Sequence, residues 1–464
     1  MGQRPSSCAD EFMTNKRISQ LLPEMKTTAV LAGPLVIGQI SAALIGFVDS
    51  VIAGHHSTET LAAVSVGTAI LWLPIMLPLG VLMSIPPTVS EMHGAEKRSE
   101  VGPFFRQSLW LAAALAVLLF TFLSFSPFFM RLFGIDPAII PGASDFLLAV
   151  RWGVPGMCLF FCMRYLAEGM HWTTPTMVLS ILGVVILAPI GYVLTFGLFG
   201  FPSMGAKGLG VATIIVMWAQ AVGFILVLRK SRRFADLQLF KQFDLPNWEV
   251  IRNTLKIGLP IGVMVLMEGG LFVATTLLMG KLGTVIASSH QIAISIATLC
   301  FMIPVGVAEA TTVRVGHAMG RRNYVGVRNA MHAGLAIVLF TQVLSASIMI
   351  FGNEHLTRLY TDDITVIGLA STLILFAAMF QFPDGVQVIS AATLRGLKDT
   401  TIPMWIAVIS YWLVGMPVGI YLSFQQEMGP KGMWIGLISG LTVAAILLNW
   451  RTRNTIAKLI ANNP

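Results

Sequence analysis

KIGLPIGVMVLMEGGLFVATTLLMG, residues 256–280, is apolar throughout except for Lys256 at its start and one acid, Glu268, at its middle. A helix of about 20 apolar residues, rising 1.5 Å at each, crosses the hydrocarbon core of a bilayer. The stretch therefore reads as a membrane span with an ionisable group near the midplane. Composition agrees: 55% of the 464 residues are hydrophobic and 11% are charged, whereas about a quarter are charged in a water-soluble domain. The chain is read as an integral membrane protein.

Comparable apolar runs fall at 28–53, 60–90, 105–130, 143–170, 174–199 and 208–228, then at 255–280, 284–316, 329–352, 364–393, 400–425 and 432–450. They predict an all-α membrane protein of twelve transmembrane helices, and the short alternating segments of a β-barrel are not seen. Residues 1–27 lack the apolar core and small-residue cleavage site of a signal peptide and read as a polar N-terminal tail, with 451–464 as the C-terminal one. Lysine and arginine gather on one side, at Lys16, Arg17, Lys97, Arg98 and Arg106, through 229–256, at Arg314, Arg321, Arg322, Arg328, Arg395 and Lys398, and at Arg451, Arg453 and Lys458. The positive-inside rule then makes both termini cytoplasmic. The net charge of +8 reports this topology and calls for no nucleic acid. Cys8, Cys158, Cys162 and Cys300 show no metal spacing, and no disulfide framework is implied.

Shifting 256–280 back by 226 positions lays it on VLAGPLVIGQISAALIGFVDSVIAG, residues 30–54. The same shift superimposes Pro34 on Pro260, Gly54 on Gly280, Pro78 on Pro304, Gly80 on Gly306 and Gly94 on Gly320. Further along, PIGYVLTF (189–196) matches PVGIYLSF (417–424), and GAKG (205–208) matches GPKG (429–432). The chain is thus read as two six-helix lobes, 28–228 and 251–450, joined by a charged cytoplasmic linker, 229–250. Six is even, so both lobes start on the same side and are related by an axis along the membrane normal.

Charged groups at such depth usually mark ion or substrate pathways, because their insertion costs about 2.5 to 3.5 kcal/mol. Glu268 and Asp384 are the deep acids of the second lobe, and Asp49 lies in the outer half of the first span. Arg164 lies near a cytoplasmic end, where Glu168 at i+4 can satisfy it; Asp145, Glu91 and Glu309 lie near span ends and read as interfacial. His290 is the one deep imidazole of the second lobe, and Gln39 and Gln291 are polar enough to face a cavity, although helix packing accounts for them equally well. Met264, Met267, Met279, Met302, Phe272, Phe380 and Phe382 suit either a permissive cavity for aromatic cations or ordinary membrane-core packing.

FVDSVIAG in the first span, LMEGGLF in the seventh, SSHQIAIS in the eighth, VRVGHAMG after it and FPDGVQVISAATLRGLKDT in the tenth resemble the signatures of the multidrug and toxic compound extrusion (MATE) transporters, NorM-type bacterial branch. The likeness spans about 28–450. It implies two pseudo-symmetric bundles around a central cavity, in a bacterial inner membrane, exporting organic cations and amphipathic drugs in exchange for inward H⁺ or Na⁺. It also implies a cation-coupling role for Glu268 and Asp384 and a protonatable acid at Asp49. From their own polarity, aromaticity and depth, Gln39, Met267, Phe272, His290, Gln291 and Phe380 are the candidates to line a substrate cavity. Two positions depart from the family pattern. Phe380 stands where relatives often offer a tyrosine hydroxyl near the cation, and ILAPIGY has Leu187 and Gly191 where many carry asparagine. The first departure favours H⁺ over Na⁺, since a dehydrated Na⁺ wants several oxygen ligands and a proton needs none.

The expectation is therefore a monomeric, cofactor-free antiporter working by alternating access. A lipid-linked oligosaccharide flippase of the same broad superfamily is the alternative; it would more naturally line its cavity with bases to hold pyrophosphate. A major-facilitator transporter fits the aligned prolines poorly. An enzyme would need a nucleophile, metal cluster or cofactor motif, and none is found.

Overall fold

The structure, a computed structural model, describes the backbone of residues 7–132 and 134–462, with side chains from Leu22 onward. Its elements are α1 (Ser7–His56), α2 (Thr58–Gly94), α3 (Arg98–Ser124), α4 (Ile140–Val150 with Val154–Gly169), α5 (Thr174–Phe196), α6 (Ala206–Lys230), α7 (Trp248–Lys281), α8 (Thr284–Gly320), α9 (Tyr324–Arg358), α10 (Ile364–Gly396), α11 (Thr401–Gln425) and α12 (Pro430–Asn462). Eleven of these are long and apolar enough to cross a membrane, and the bent pair of α4 makes a twelfth.

Prolines decide where the helices deviate. Pro155 opens the second half of α4, where its missing N–H is harmless, and the two halves meet at 50°. The run 143–170, expected as one span, is thus broken. A turn at Met83 and Ser84 interrupts α2 just before Pro86 and Pro87. In α11 the ladder widens to π-helical turns at Ile409–Gly415 and Tyr421–Gln425, on either side of Pro417.

Packing repeats with the sequence. Within the first lobe α1 packs on α5, α2 on α4, α3 on α4, α4 on α6 and α5 on α6; adding six to each label gives pairs that also pack in the second. Between the lobes α2 meets α7 and α1 meets α8, each the image of the other under that shift. Single residues show it too. A Cβ on Gly94 would lie 2.1 Å from the His317 carbonyl oxygen, and one on Gly320 would lie 2.0 Å from that of Glu91. Gly94 and Gly320, like Glu91 and His317, are 226 residues apart, so these are one contact made twice. Ser90 and Gly316, also 226 apart, touch each other, which puts the pseudo-twofold axis between them.

These cross-lobe approaches all fall in the half of the molecule that bears the two termini. Ion pairs of Arg314 with Glu24 and of Lys398 with Glu91 close the same end.

The expected tails are structured where described. Residues 1–6 lie outside the described residues, and from Ser7 the N-terminal segment is already helical and runs into the first span. The C-terminal segment continues α12, held by Arg451 to Asp399 at 2.9 Å and by Ile456 packed with Val315, Val327 and Met331. The linker lies on the first lobe through Arg98 to Asp236 at 2.8 Å, Arg106 to Asp244 at 2.5 Å, and buried Phe234, Leu237 and Leu239.

Candidate cation and substrate site

In α10, Asp384 and Gln387 stand one turn apart, and Arg395 follows three turns after Asp384, so the three share a face. Glu268 approaches that face from α7, followed by Gly269 and Gly270, whose lack of side chains lets Met76 of α2 and Trp412 of α11 come close. Gln387 Nε2 donates to Glu268 Oε1 at 3.1 Å and to the Tyr411 hydroxyl at 2.5 Å. Asp384 is 2% exposed. Its Oδ1 and the Oε1 of Gln387 are buried acceptors without a hydrogen-bond partner. Glu268 acts electrostatically on Asp384, and Arg395 on Glu268. Two buried carboxyl groups thus lie beside one arginine, with bare oxygens turned into the site. Buried polar atoms left unpaired are costly, and a proton or a small cation relieves them.

The structure thus brings Glu268 and Asp384 together. Of the residues expected to line a cavity, Met267 and Phe272 are half-buried beside this site. Phe380, only 3% exposed, and His290 are packed inside the second lobe: Phe380 meets Phe272 and Trp434 edge-on with ring centres 5.9 Å away in each case, and His290 Nε2 lies 3.2 Å from the Thr276 hydroxyl. Gln291 is exposed, with Ser295 at 3.4 Å.

Asp49 lies far along α1 in the first lobe, buried, with Oδ1 unpartnered. Val48 beside it packs with Leu187, Ala212 and Val216. The apolar Leu187, at a place where relatives offer asparagine, matches this lack of a hydrogen-bonded relay.

Gln39 is committed elsewhere, in a network the sequence reading only partly found. Its Nε2 donates to Glu309 Oε1 at 2.8 Å, crossing from α1 to α8. Arg164 Nη2 donates to both oxygens of Glu309, at 3.2 and 3.0 Å, and Arg164 Nε donates to Glu168 at 2.6 Å. Arg164, Glu168 and Glu309 are all under 9% exposed. The Arg164 to Glu168 pair, expected from i,i+4 spacing, forms. Glu309, read as interfacial, is instead a buried cross-lobe partner, because α8 runs on to Gly320 and holds it well inside the helix. Arg395, read only as a topology marker, lies within electrostatic reach of Glu268 and Glu309 alike. No spacing rule links residues on four helices, so the chain offered no signal for the joined network.

Comparison with known proteins follows the same division. The family model MatE matches residues 34–193 and again 260–421, two stretches that start 226 positions apart. The probable multidrug resistance protein NorM of Xanthomonas axonopodis pv. citri is 58% identical over 438 residues, covering 94% of this chain and 96% of that one. The multidrug resistance protein MdtK of Yersinia pestis is 37% identical over 442 residues, covering 94% and 96%. Among solved structures, an outward-facing multidrug resistance MATE family transporter superimposes with a TM-score of 0.87 at 19% identity over 94% of this chain and 97% of that one, which shows the fold. With the family model matched in both lobes and relatives of this identity along nearly the whole length, the chain belongs to the MatE family, in its NorM-type branch.

Proposed function

We propose that this protein is a secondary active multidrug efflux transporter that exchanges cationic or amphipathic organic compounds for an inward-moving cation by alternating access. The observation that carries the reading is the pair of buried acids, Glu268 and Asp384, beside Arg395, with Asp384 Oδ1 unpartnered. With both acids ionised, one monovalent cation balances that site. An organic cation and the coupling ion compete for it, so loading one releases the other. The names of the relatives agree with a drug substrate, and the flippase alternative is not favoured, since two of the three charged residues at the site, Glu268 and Asp384, are acids.

The coupling ion in this reading is H⁺. Phe380 brings no oxygen to the site and is packed against Phe272 and Trp434, whereas a dehydrated Na⁺ needs several oxygens. With both termini cytoplasmic, the end closed by Arg314 to Glu24, Lys398 to Glu91 and the Glu309 network faces the cytoplasm. The working unit is a monomer of two lobes, 28–228 and 251–450, and Asp49 is a secondary protonatable group.

The test is exchange of a fluorescent organic cation in vesicles under an imposed pH gradient or Na⁺ gradient, one at a time. Glu268→Gln and Asp384→Asn should each abolish gradient-driven exchange while leaving expression and monodispersity intact. Full exchange by both variants removes the acids from the mechanism. Exchange that survives collapse of the pH gradient and stops on withdrawal of Na⁺ reverses the ion assignment.

A further inference from the structure

We propose that His93, His171 and His317 form a binding site for a divalent transition-metal ion of the zinc type, which ties the two lobes together at the terminus-bearing end. One ring nitrogen from each residue lies within 4.8 Å of the other two. The ring centroids are 5.6 Å apart for His93 and His171, 5.3 Å for His93 and His317, and 4.7 Å for His171 and His317. Zinc binds imidazole nitrogen at about 2.0 to 2.1 Å in tetrahedral sites. Ligand nitrogens then stand about 3.4 Å from one another, and side-chain rotation alone can supply the small contraction needed.

Two further observations point to a ligand. The Nδ1 atoms of His93 and His317 are buried without a hydrogen-bond partner. The three rings also line a cavity of about 710 Å³, shared with Glu24, Arg314 and Arg321, which supplies an entry path and room for water as a fourth ligand. Two neighbouring arginines are already neutralised, Arg98 by Asp236 and Arg314 by Glu24. Without a carboxylate or thiolate in the donor set, borderline ions such as Zn²⁺, Ni²⁺ and Cu²⁺ are preferred over Mg²⁺ or Ca²⁺.

The placement gives the ion a consequence. His93 ends α2 and His171 follows α4 in the first lobe, whereas His317 ends α8 in the second. A bound ion holds this end shut. Its effect on exchange rests on the proposed transport cycle, in which the lobes must part here; binding itself does not.

The full-length chain, purified without a polyhistidine tag, is titrated with ZnCl₂ by calorimetry, with MgCl₂ as control. One Zn²⁺ per chain is expected, with affinity falling about 10-fold or more in each of His93→Ala, His171→Ala and His317→Ala. Each variant is first checked for monodisperse elution, and a position that fails is retested as His→Gln. Unchanged zinc affinity in the folded variants overturns the site. In vesicles, zinc on the terminus-bearing face should slow exchange by the wild type and spare His317→Ala, whose exchange without zinc stays normal. Tight zinc binding with no slowing of an active wild type overturns the cross-lobe clamp. A wild type that fails to exchange at all counts against the transport reading and leaves the calorimetric test standing.

Discussion

Glu309→Gln should open the terminus-bearing end. The substitution keeps the shape of the side chain and its bond with Gln39, and removes the charge that draws Arg164 across the lobe boundary. Of the two hydrogen bonds between Arg164 and the carboxylate, each contributing about 1.5 to 3 kcal/mol, one is lost and the other is kept only from the guanidinium to a neutral amide oxygen. The closed state therefore loses about 2 kcal/mol. The parted state loses little, because Arg164 keeps Glu168 at 2.6 Å and residue 309 gains water. About 2 kcal/mol is roughly a 30-fold change in the equilibrium, enough to raise a minor state from about 1% to about a quarter of the population. Spin labels at Lys97 and Arg322, both exposed and on opposite lobes at this end, report it by electron–electron resonance, as a second, longer distance in the variant. A distribution that superimposes on the wild type would refute the assignment of the network as a cross-lobe latch. Replacing Arg164, Glu168 and Glu309 together by apolar residues of similar volume should return much of the short-distance population, since buried ion clusters often exchange for packing at little cost.

Gly94→Ala places a methyl group 2.1 Å from the His317 carbonyl oxygen and should lengthen the same label distance, whereas Gly46→Ala, with nothing within 4 Å, should not. Phe380→Tyr, by adding a hydroxyl, should raise sodium sensitivity and leave proton-driven exchange largely intact, read as exchange rate against Na⁺ concentration at fixed pH; a variant indifferent to Na⁺ would mean that the missing oxygen is not what excludes the ion. Asp49→Asn should give a partial, substrate-dependent defect in exchange assays, and wild-type rates for every compound tested would take Asp49 out of the pathway.

The membrane architecture was legible in the chain because its causes are local. A span needs a run of apolar side chains, and a parallel repeat needs only that prolines and glycines recur at one offset; both survive in one dimension. Deep acids are visible for the same reason, since Glu268 and Asp384 are conspicuous against apolar neighbours whatever they touch. Pairing is different. That Gln387 reaches Glu268 and Tyr411 at once, that Arg395 balances one acid and not both, and that Phe380 is packed away rather than open to substrate all depend on three helices meeting. The latch of Gln39, Arg164, Glu168 and Glu309 and the triad of His93, His171 and His317 each join residues more than a hundred positions apart. Charge interaction falls with distance in space and is blind to distance along the chain, so only the packing of helices, within each lobe and between the two, decided which of these groups would meet.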